Sequence, residues 1–300
     1  MESTNSHIEY RVTNDHDRKK VSQILKDHLK LSRSEIRRIK RHAGLMVNGQ
    51  TVRLNSLVQE GDLIRVNFHD DEQPVIPQGI PLDILFEDEH ILVVNKPANM
   101  LVHPLSYHVL NTLANGVIYH WQQQGQNSKF RAVSRLDRDT SGVILIARSS
   151  YICHQLAGQM KNNRCRREYL AVAHNRITMD SGIIDFPIGR PHDRSLIFGV
   201  TAQGKAAVTH FDVIQRFAGG SLVKLRLETG RTHQIRVHMK HFGHPLMGDE
   251  LYGGSLDLIN RQALHSWQLE FDHPVTKERM RLEAPLPADI TSLIHKLEND

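Results

Sequence analysis

The polar stretch Arg135-Leu136-Asp137-Arg138-Asp139-Thr140-Ser141-Gly142 runs without a spacer into the apolar run Val143-Ile144-Leu145-Ile146-Ala147. A short apolar run of this kind has the form of a sheet-core strand. The polar stretch before it is then a loop held at the strand's end, where folds tend to present chemistry. Taken alone, the loop also fits an ordinary capped turn, because Asp, Thr, Ser and Gly are common turn residues. A second polar stretch, Gly230-Arg231-Thr232-His233-Gln234-Ile235-Arg236, favours the chemical reading. It follows the alternating run Ser221 to Glu228 and opens a helix with Ile235, Met239 and Phe242 on its buried side. A strand, turn and helix junction leaves free backbone N–H groups suited to phosphate, and Arg231 and Arg236 add full charges.

Around these two stretches the sequence predicts more strands than helices. Leu82 to Phe86, Ile91 to Val94, Glu168 to Ala173 and Gly204 to Phe217 read as strands, and residues 112–124 and 151–162 as helices. Short turns join several of the strands. The fold class expected is α+β: a mixed, largely antiparallel sheet with flanking helices, rather than a doubly wound parallel sheet. Lys96, at the end of the Ile91 strand, is a further site candidate, against the plainer role of a snorkelling surface lysine.

The first 70 residues have a different character. Val21, Ile24, Leu25 and Leu29 have the spacing of one buried helix face. Ser32 and Glu35 have capping-box spacing for a second helix, which Gly44 ends. That helix carries Arg33, Arg37, Arg38, Lys40 and Arg41, a density of cations that calls for an anion against it. Asn48-Gly49 marks a hairpin. This module resembles the S4 RNA-binding domain in Ser32-Arg33-Ser34-Glu35-Ile36-Arg37-Arg38, Val47-Asn48-Gly49 and Glu60-Gly61-Asp62. The resemblance implies a small α/β domain that binds structured RNA through the basic helix. Acidic residues and Pro74, Pro77 and Pro81 then break regular structure. The expected organisation is an S4-like domain over 1–70, a linker over 71–81 and a catalytic domain over 82–300.

Several functions lose support from what is missing. No Gly-x-x-x-x-Gly-Lys-Ser/Thr loop, no GxGxxG and no Gly-x-Ser-x-Gly is present, which leaves ATP, nicotinamide and serine-hydrolase chemistry without a motif. His233, His238, His241 and His244 do not have zinc-site spacing, so no metal is expected. Cys153 and Cys165 form no CxxC pair, and the N-terminus has no apolar core of a secretory signal. A cytoplasmic protein with no membrane partner is expected, its net charge of +5 unevenly distributed. A monomer is the default.

The chain resembles the RluA/RluD-type pseudouridine synthases over nearly its whole length. The resemblance rests on Val94-Asn95-Lys96-Pro97 with Val102-His103-Pro104, Arg135 to Gly142, Arg167-Glu168-Tyr169-Leu170-Ala171, Gly230 to His238, and Gly243-His244-Pro245 with Gly248-Asp249 and Tyr252-Gly253. It implies the pseudouridine synthase fold, RNA as partner and no cofactor. It implies Asp137 as catalytic carboxylate, Tyr169 stacked on the target uracil, and Arg231 paired with Asp137. Arg135 is expected to enter the RNA helix. Lys96, His233, Gln234 and Arg236 are expected to contact RNA beside Arg33, Arg37, Arg38, Lys40 and Arg41. Ser134 departs from the family's usual histidine and bears on the choice of RNA.

Chemically, a carboxylate can attack C1′ of a uridine or take its C2′ proton, and these alternatives stay open. The target base must leave its stack, at a cost of a few kcal/mol, and stacking on an aromatic ring returns about 1–3 kcal/mol. Large-subunit ribosomal RNA is the first expectation for the substrate and transfer RNA the alternative. A non-catalytic RNA-binding ribosome-assembly factor and a carboxylate-based RNA hydrolase are the rival readings.

Overall fold

The structure, a computed structural model, describes residues 7–31, 33–68, 75–105, 108–191 and 197–299, and only the backbone of 33 and 34. The expected capping residue Ser32, the acidic residues 70–72 and the Arg33 side chain lie outside the described residues.

Among the described residues the first module is a four-stranded antiparallel sheet under two helical segments. Its strands are β1 (His7–Arg11), β2 (Leu45–Val47), β3 (Gln50–Thr51) and β4 (Leu63–Asn67), in the order β1-β4-β2-β3. Asn48 and Gly49 both adopt positive φ, as the tight hairpin between β2 and β3 requires. Helix α1 (Val21–Gln23) runs on as a π-helix to His28, so the expected first helix is short and irregular. Helix α2 (Arg33–Arg41) is the basic helix. Val21, Ile24, Leu25 and Ile39 close the core over Ile64 and Val66 of the sheet.

Among the described residues the larger sheet has nine strands. In chain order the first five are β5 (Ile84–Glu87), β6 (Ile91–Lys96), β7 (Ser141–Ala147), β8 (Arg166–His174) and β9 (Ser181–Asp185). After the small hairpin β10 (Ile188–Gly189) and β11 (Gly199–Val200) come β12 (Val208–Arg216), β13 (Gly220–Leu227), β14 (Leu264–Asp272) and β15 (Arg279–Glu283). The order is β5-β6-β7-β14-β8-β13-β12-β9, with β15 paired to β14. Of these pairings only β7 with β14 is parallel, which makes the sheet mixed and largely antiparallel.

Helices cover both faces. In the first half, α3 (Leu113–Gln123) packs on Leu92, Val94, Ile144 and Ile146, while α4 (Ser150–Lys161) packs on Val93, Val143 and Leu145. In the second half, α5 (Gln234–His241) packs on Ala171, Ala173, Val223 and Leu225. Helix α6 (Ala288–Asn299) packs on Val172 and Leu222, the opposite face. Alternate residues of one strand thus feed different helices, which explains the unbroken apolar runs of β6 and β7. Leu136 packs against both the α3 and the α5 clusters, so the loop before β7 crosses the seam between the two halves. Gly142 makes that crossing possible. It has φ +112°, and a Cβ there would meet the Ser266 carbonyl oxygen of β14 at 2.1 Å.

Candidate active site

The loop 135–140 is fastened from behind. Lys96, fully buried, donates from Nζ to the carbonyls of Pro97 (2.7 Å), Met100 (2.9 Å) and Arg138 (3.0 Å). Arg261 donates to the carbonyl of Asp139 at 3.0 Å and forms a bidentate pair with Asp289 at the start of α6. Gln262 Nε2 donates to Thr140 Oγ1 at 3.3 Å, and Ser141 Oγ lies 2.9 Å from His265 Nδ1. The backbone around Asp137 is therefore fixed by residues from β6, β14's approach and α6. Lys96 is corrected here: it is a strut inside the loop and not a surface contact for RNA. Burial pulls its pKa down to about 7, with Asp139 opposing, while three carbonyl acceptors favour the charged form.

The front of the loop meets α5. Arg236 donates from Nε and Nη2 to Asp249 at 2.7 and 2.8 Å, and from Nη1 to Asp137 Oδ2 at 3.3 Å. The arginine is 8% exposed, Asp249 1% and Asp137 29%. Burial works against the Arg236 charge, but Asp249 and then Asp137 outweigh it and raise its pKa. One cation thus has a closed, bidentate partner on its inner side and a looser, solvent-reachable partner on its outer side. The arginine expected to pair with Asp137 was Arg231; the structure places Arg236 there. Arg231 lies in the turn before α5 and donates from Nε to the Ala206 carbonyl at 2.9 Å. The difference is one of register: Arg236 points inward from the first turn of the helix, and Arg231 precedes it.

Tyr169, on β8, is buried among Leu136, Leu225 and Ile235, close enough to Asp137 to feel its charge. Burial raises its pKa against the lowering pull of Arg167. His233 is the N-cap of α5 in a left-handed conformation, with Nε2 3.9 Å from Asp137 Oδ1. Burial lowers its pKa against the raising pull of Asp137. Gln234 is buried rather than available to RNA. Its Oε1 accepts from Thr229 Oγ1 and the Arg231 N–H, and its Nε2 donates to Val208 O and Thr209 Oγ1. Arg135 is exposed at the mouth of the loop, near His103.

The four histidines considered for a metal are occupied separately. His238 contacts Thr209 and the Phe186 carbonyl, His241 packs on Phe186, and His244 contacts the His174 carbonyl. Among the described residues no group of three or more His, Cys, Asp or Glu is placed to hold a metal ion. No helix among them is long and apolar enough to cross a membrane.

In the first module Arg37, Lys40 and Arg41 are exposed. Arg38 differs, because it turns toward α4 and donates to Ser150 Oγ. Glu35 faces His154 of the same helix at 3.7 Å, and Phe68 stacks on Tyr151 at 5.8 Å. The basic helix therefore has a face docked on the larger sheet's α4 and a face open to solvent. Asp249 and Tyr252 belong to the site by geometry, although nothing in the sequence gave either a role. Their only signal was membership of the Gly248-Asp249 and Tyr252-Gly253 motifs.

The chain is similar to known proteins over most of its length. Residues 90–241 match the family model described as RNA pseudouridylate synthase, and residues 8–64 match the RluD ribosomal pseudouridine synthase N-terminal domain. A Bacillus subtilis protein described as uncharacterized RNA pseudouridine synthase YjbO is 46% identical, over 83% of this chain and 89% of that one. Ribosomal large subunit pseudouridine synthase D of Xylella fastidiosa is 39% identical, over 90% of this chain and 86% of that one. The corresponding protein of Pseudomonas aeruginosa is 37% identical, over 93% and 91%. Among solved structures, human RNA pseudouridylate synthase domain containing 1 superposes with a TM-score of 0.58 at 26% identity, covering 74% of this chain and 97% of that one.

Proposed function

The chain belongs to the RNA pseudouridylate synthase family, and from that premise we propose that it converts uridines of large-subunit ribosomal RNA to pseudouridine with Asp137 as the reacting carboxylate. The observation that carries this reading is the Asp137–Arg236–Asp249 chain. A carboxylate open to solvent is held 3.3 Å from an arginine that a buried second carboxylate fixes in place. Preorganised charge of this kind stabilises charge that develops during reaction without reorganisation at that moment.

The reaction breaks C1′–N1, turns the freed uracil and makes C1′–C5. N1 gains a proton and C5 loses one, so nothing is added or oxidised, and no cofactor is required. Asp137 acts either as nucleophile at C1′ or as base at C2′. Tyr169 lies beneath the loop, where its ring suits stacking on the extruded base. Arg135, exposed beside the loop, is suited to fill the space that the base leaves. The exposed cations of α2 hold RNA backbone, with residues 1–70 as gripping domain and 82–300 as catalytic domain. We take the protein to act as a monomer in the cytoplasm.

The large-subunit assignment draws on the relatives named for that RNA, which cover more than nine-tenths of this chain in the case of Pseudomonas aeruginosa. Purified protein incubated with large-subunit rRNA fragments and with tRNA, without cofactor, tests it by chemical mapping of pseudouridine. Pseudouridine at discrete rRNA positions is expected. Modification of tRNA alone would overturn the substrate, and shortened RNA would overturn the reaction.

A further inference from the structure

Tyr252 stands outside the steps above. It closes the short 3-10 helix Glu250–Tyr252 and is 1% exposed. Two groups converge on it. The Arg236 guanidinium lies over its ring at 4.9 Å, and its hydroxyl is 2.8 Å from His233 Nδ1. Burial pushes its pKa up to about 12, so the hydroxyl keeps its proton at working pH.

That proton needs an acceptor. Among the described residues His233 Nδ1, at 2.8 Å, is the hydrogen-bond partner of the hydroxyl and so the acceptor available to it. A neutral imidazole that accepts at Nδ1 carries its proton on Nε2. Nε2 faces Asp137 Oδ1 at 3.9 Å, beyond hydrogen-bond length but within reach of a small movement of the carboxylate. His233 takes up this position at φ 55° and ψ 24°, a left-handed conformation that a non-glycine residue keeps only where its surroundings enforce it.

We infer that the Tyr252 hydroxyl and His233 form a positioning relay that aims an N–H at Asp137 Oδ1 while Arg236 holds Oδ2. Both carboxylate oxygens then have a directed donor, and rotation of the carboxyl group away from the substrate is opposed from two sides. The relay rests on the reading of Asp137 as the reacting carboxylate. Tyr252 serves both arms: its ring supports Arg236, and its hydroxyl sets the tautomer of His233.

Tyr252→Phe separates the arms, because it keeps the ring and removes only the hydroxyl. The expected result is a single-turnover rate about ten- to a hundredfold lower at saturating RNA, with RNA affinity unchanged. His233→Asn tolerates the left-handed backbone and shortens the side chain. In that background Tyr252→Phe should cost nothing more, the signature of two groups acting as one. Nitrogen-15 NMR of the wild-type imidazole should show Nδ1 without a proton and Nε2 with one. A wild-type rate in Tyr252→Phe, losses that multiply in the double variant, or a protonated Nδ1 would each overturn the relay. So would a matching fall in rate and RNA affinity, which marks general loss of structure. Asp137→Asn is assayed alongside: if it stays active, the functional reading fails, whereas an inactive Asp137→Asn beside a wild-type Tyr252→Phe removes only the relay.

Discussion

The cations of the two sheets differ in what surrounds them. On α2, Arg37, Lys40 and Arg41 are exposed to solvent. On the larger sheet, Lys96, Arg236 and Arg261 are largely buried, and each is satisfied by carbonyls or carboxylates of its own chain. An exposed cation gains little from the fold and is free to meet phosphate, with counterion release as the driving term. A buried cation is costly to desolvate and persists only where its partners are fixed. We propose that affinity belongs to the first module and geometry to the second.

Asp249→Ala strikes the second region hardest, because it leaves the Arg236 guanidinium buried without its bidentate partner. We expect a loss of about 3–5 kcal/mol in urea denaturation. A loss under 1 kcal/mol, on the order of a surface pair, would erase the contrast between the two regions. Replacing Arg37, Lys40 and Arg41 together with Gln should instead leave denaturation nearly unchanged. It should flatten the log–log salt dependence of RNA binding by about one unit for each phosphate no longer neutralised. An unchanged slope would remove α2 from the interface.

Acid should also separate the regions. Burial lowers the pKa of His103, His174, His233, His238 and His265, all in the larger part of the chain. The folded state therefore favours the neutral rings, and the unfolded chain takes up protons first as pH falls below about 6.5. Stability contributed by these rings is present above that pH and is lost as pH falls toward their lower folded values. In the first module, among the described residues, His28 alone shows such a lowering, from slight desolvation and the neighbouring His16 and Lys30. Thermal melts between pH 7.5 and 5.5 should show the catalytic domain losing stability and residues 1–70 changing less. Parallel losses would contradict the assignment. The smallest effect is expected from Arg231→Met, whose Nε serves the Ala206 carbonyl: the single-turnover rate should stay near wild type, while Arg236→Met falls steeply.

Much of this arrangement is visible in the amino-acid order, and the remainder depends on register. The apolar run 143–147 and the alternation of 221–228 identify sheet strands because strand periodicity is local. The polar loop 135–142 stands out as a candidate site because polar residues set between apolar runs are also a local pattern. The arginine that meets Asp137 is a different matter. Arg231 and Arg236 are both basic residues of one motif; Arg231 precedes the left-handed turn at His233 and meets Ala206, while Arg236 follows it and meets Asp137. Lys96 looks like any lysine at a strand end until residues 97, 100 and 138 fold their carbonyls around it. Gln234 looks like an RNA contact until Val208, Thr209 and Thr229 close on it. The parallel pairing of β7 with β14 joins residues more than a hundred positions apart, and no local pattern carries it.

Asp137 is proposed to react, and the buried charges around it to hold it in place. Asp137→Asn keeps size and most hydrogen bonding but can neither attack C1′ nor take a proton. Its single-turnover rate on a modified-site RNA, measured beside RNA affinity and circular dichroism, tests the claim most directly. An intact fold, undiminished binding and no detectable pseudouridine are expected. A folded Asp137→Asn protein that turned over at a rate near wild type would contradict the claim.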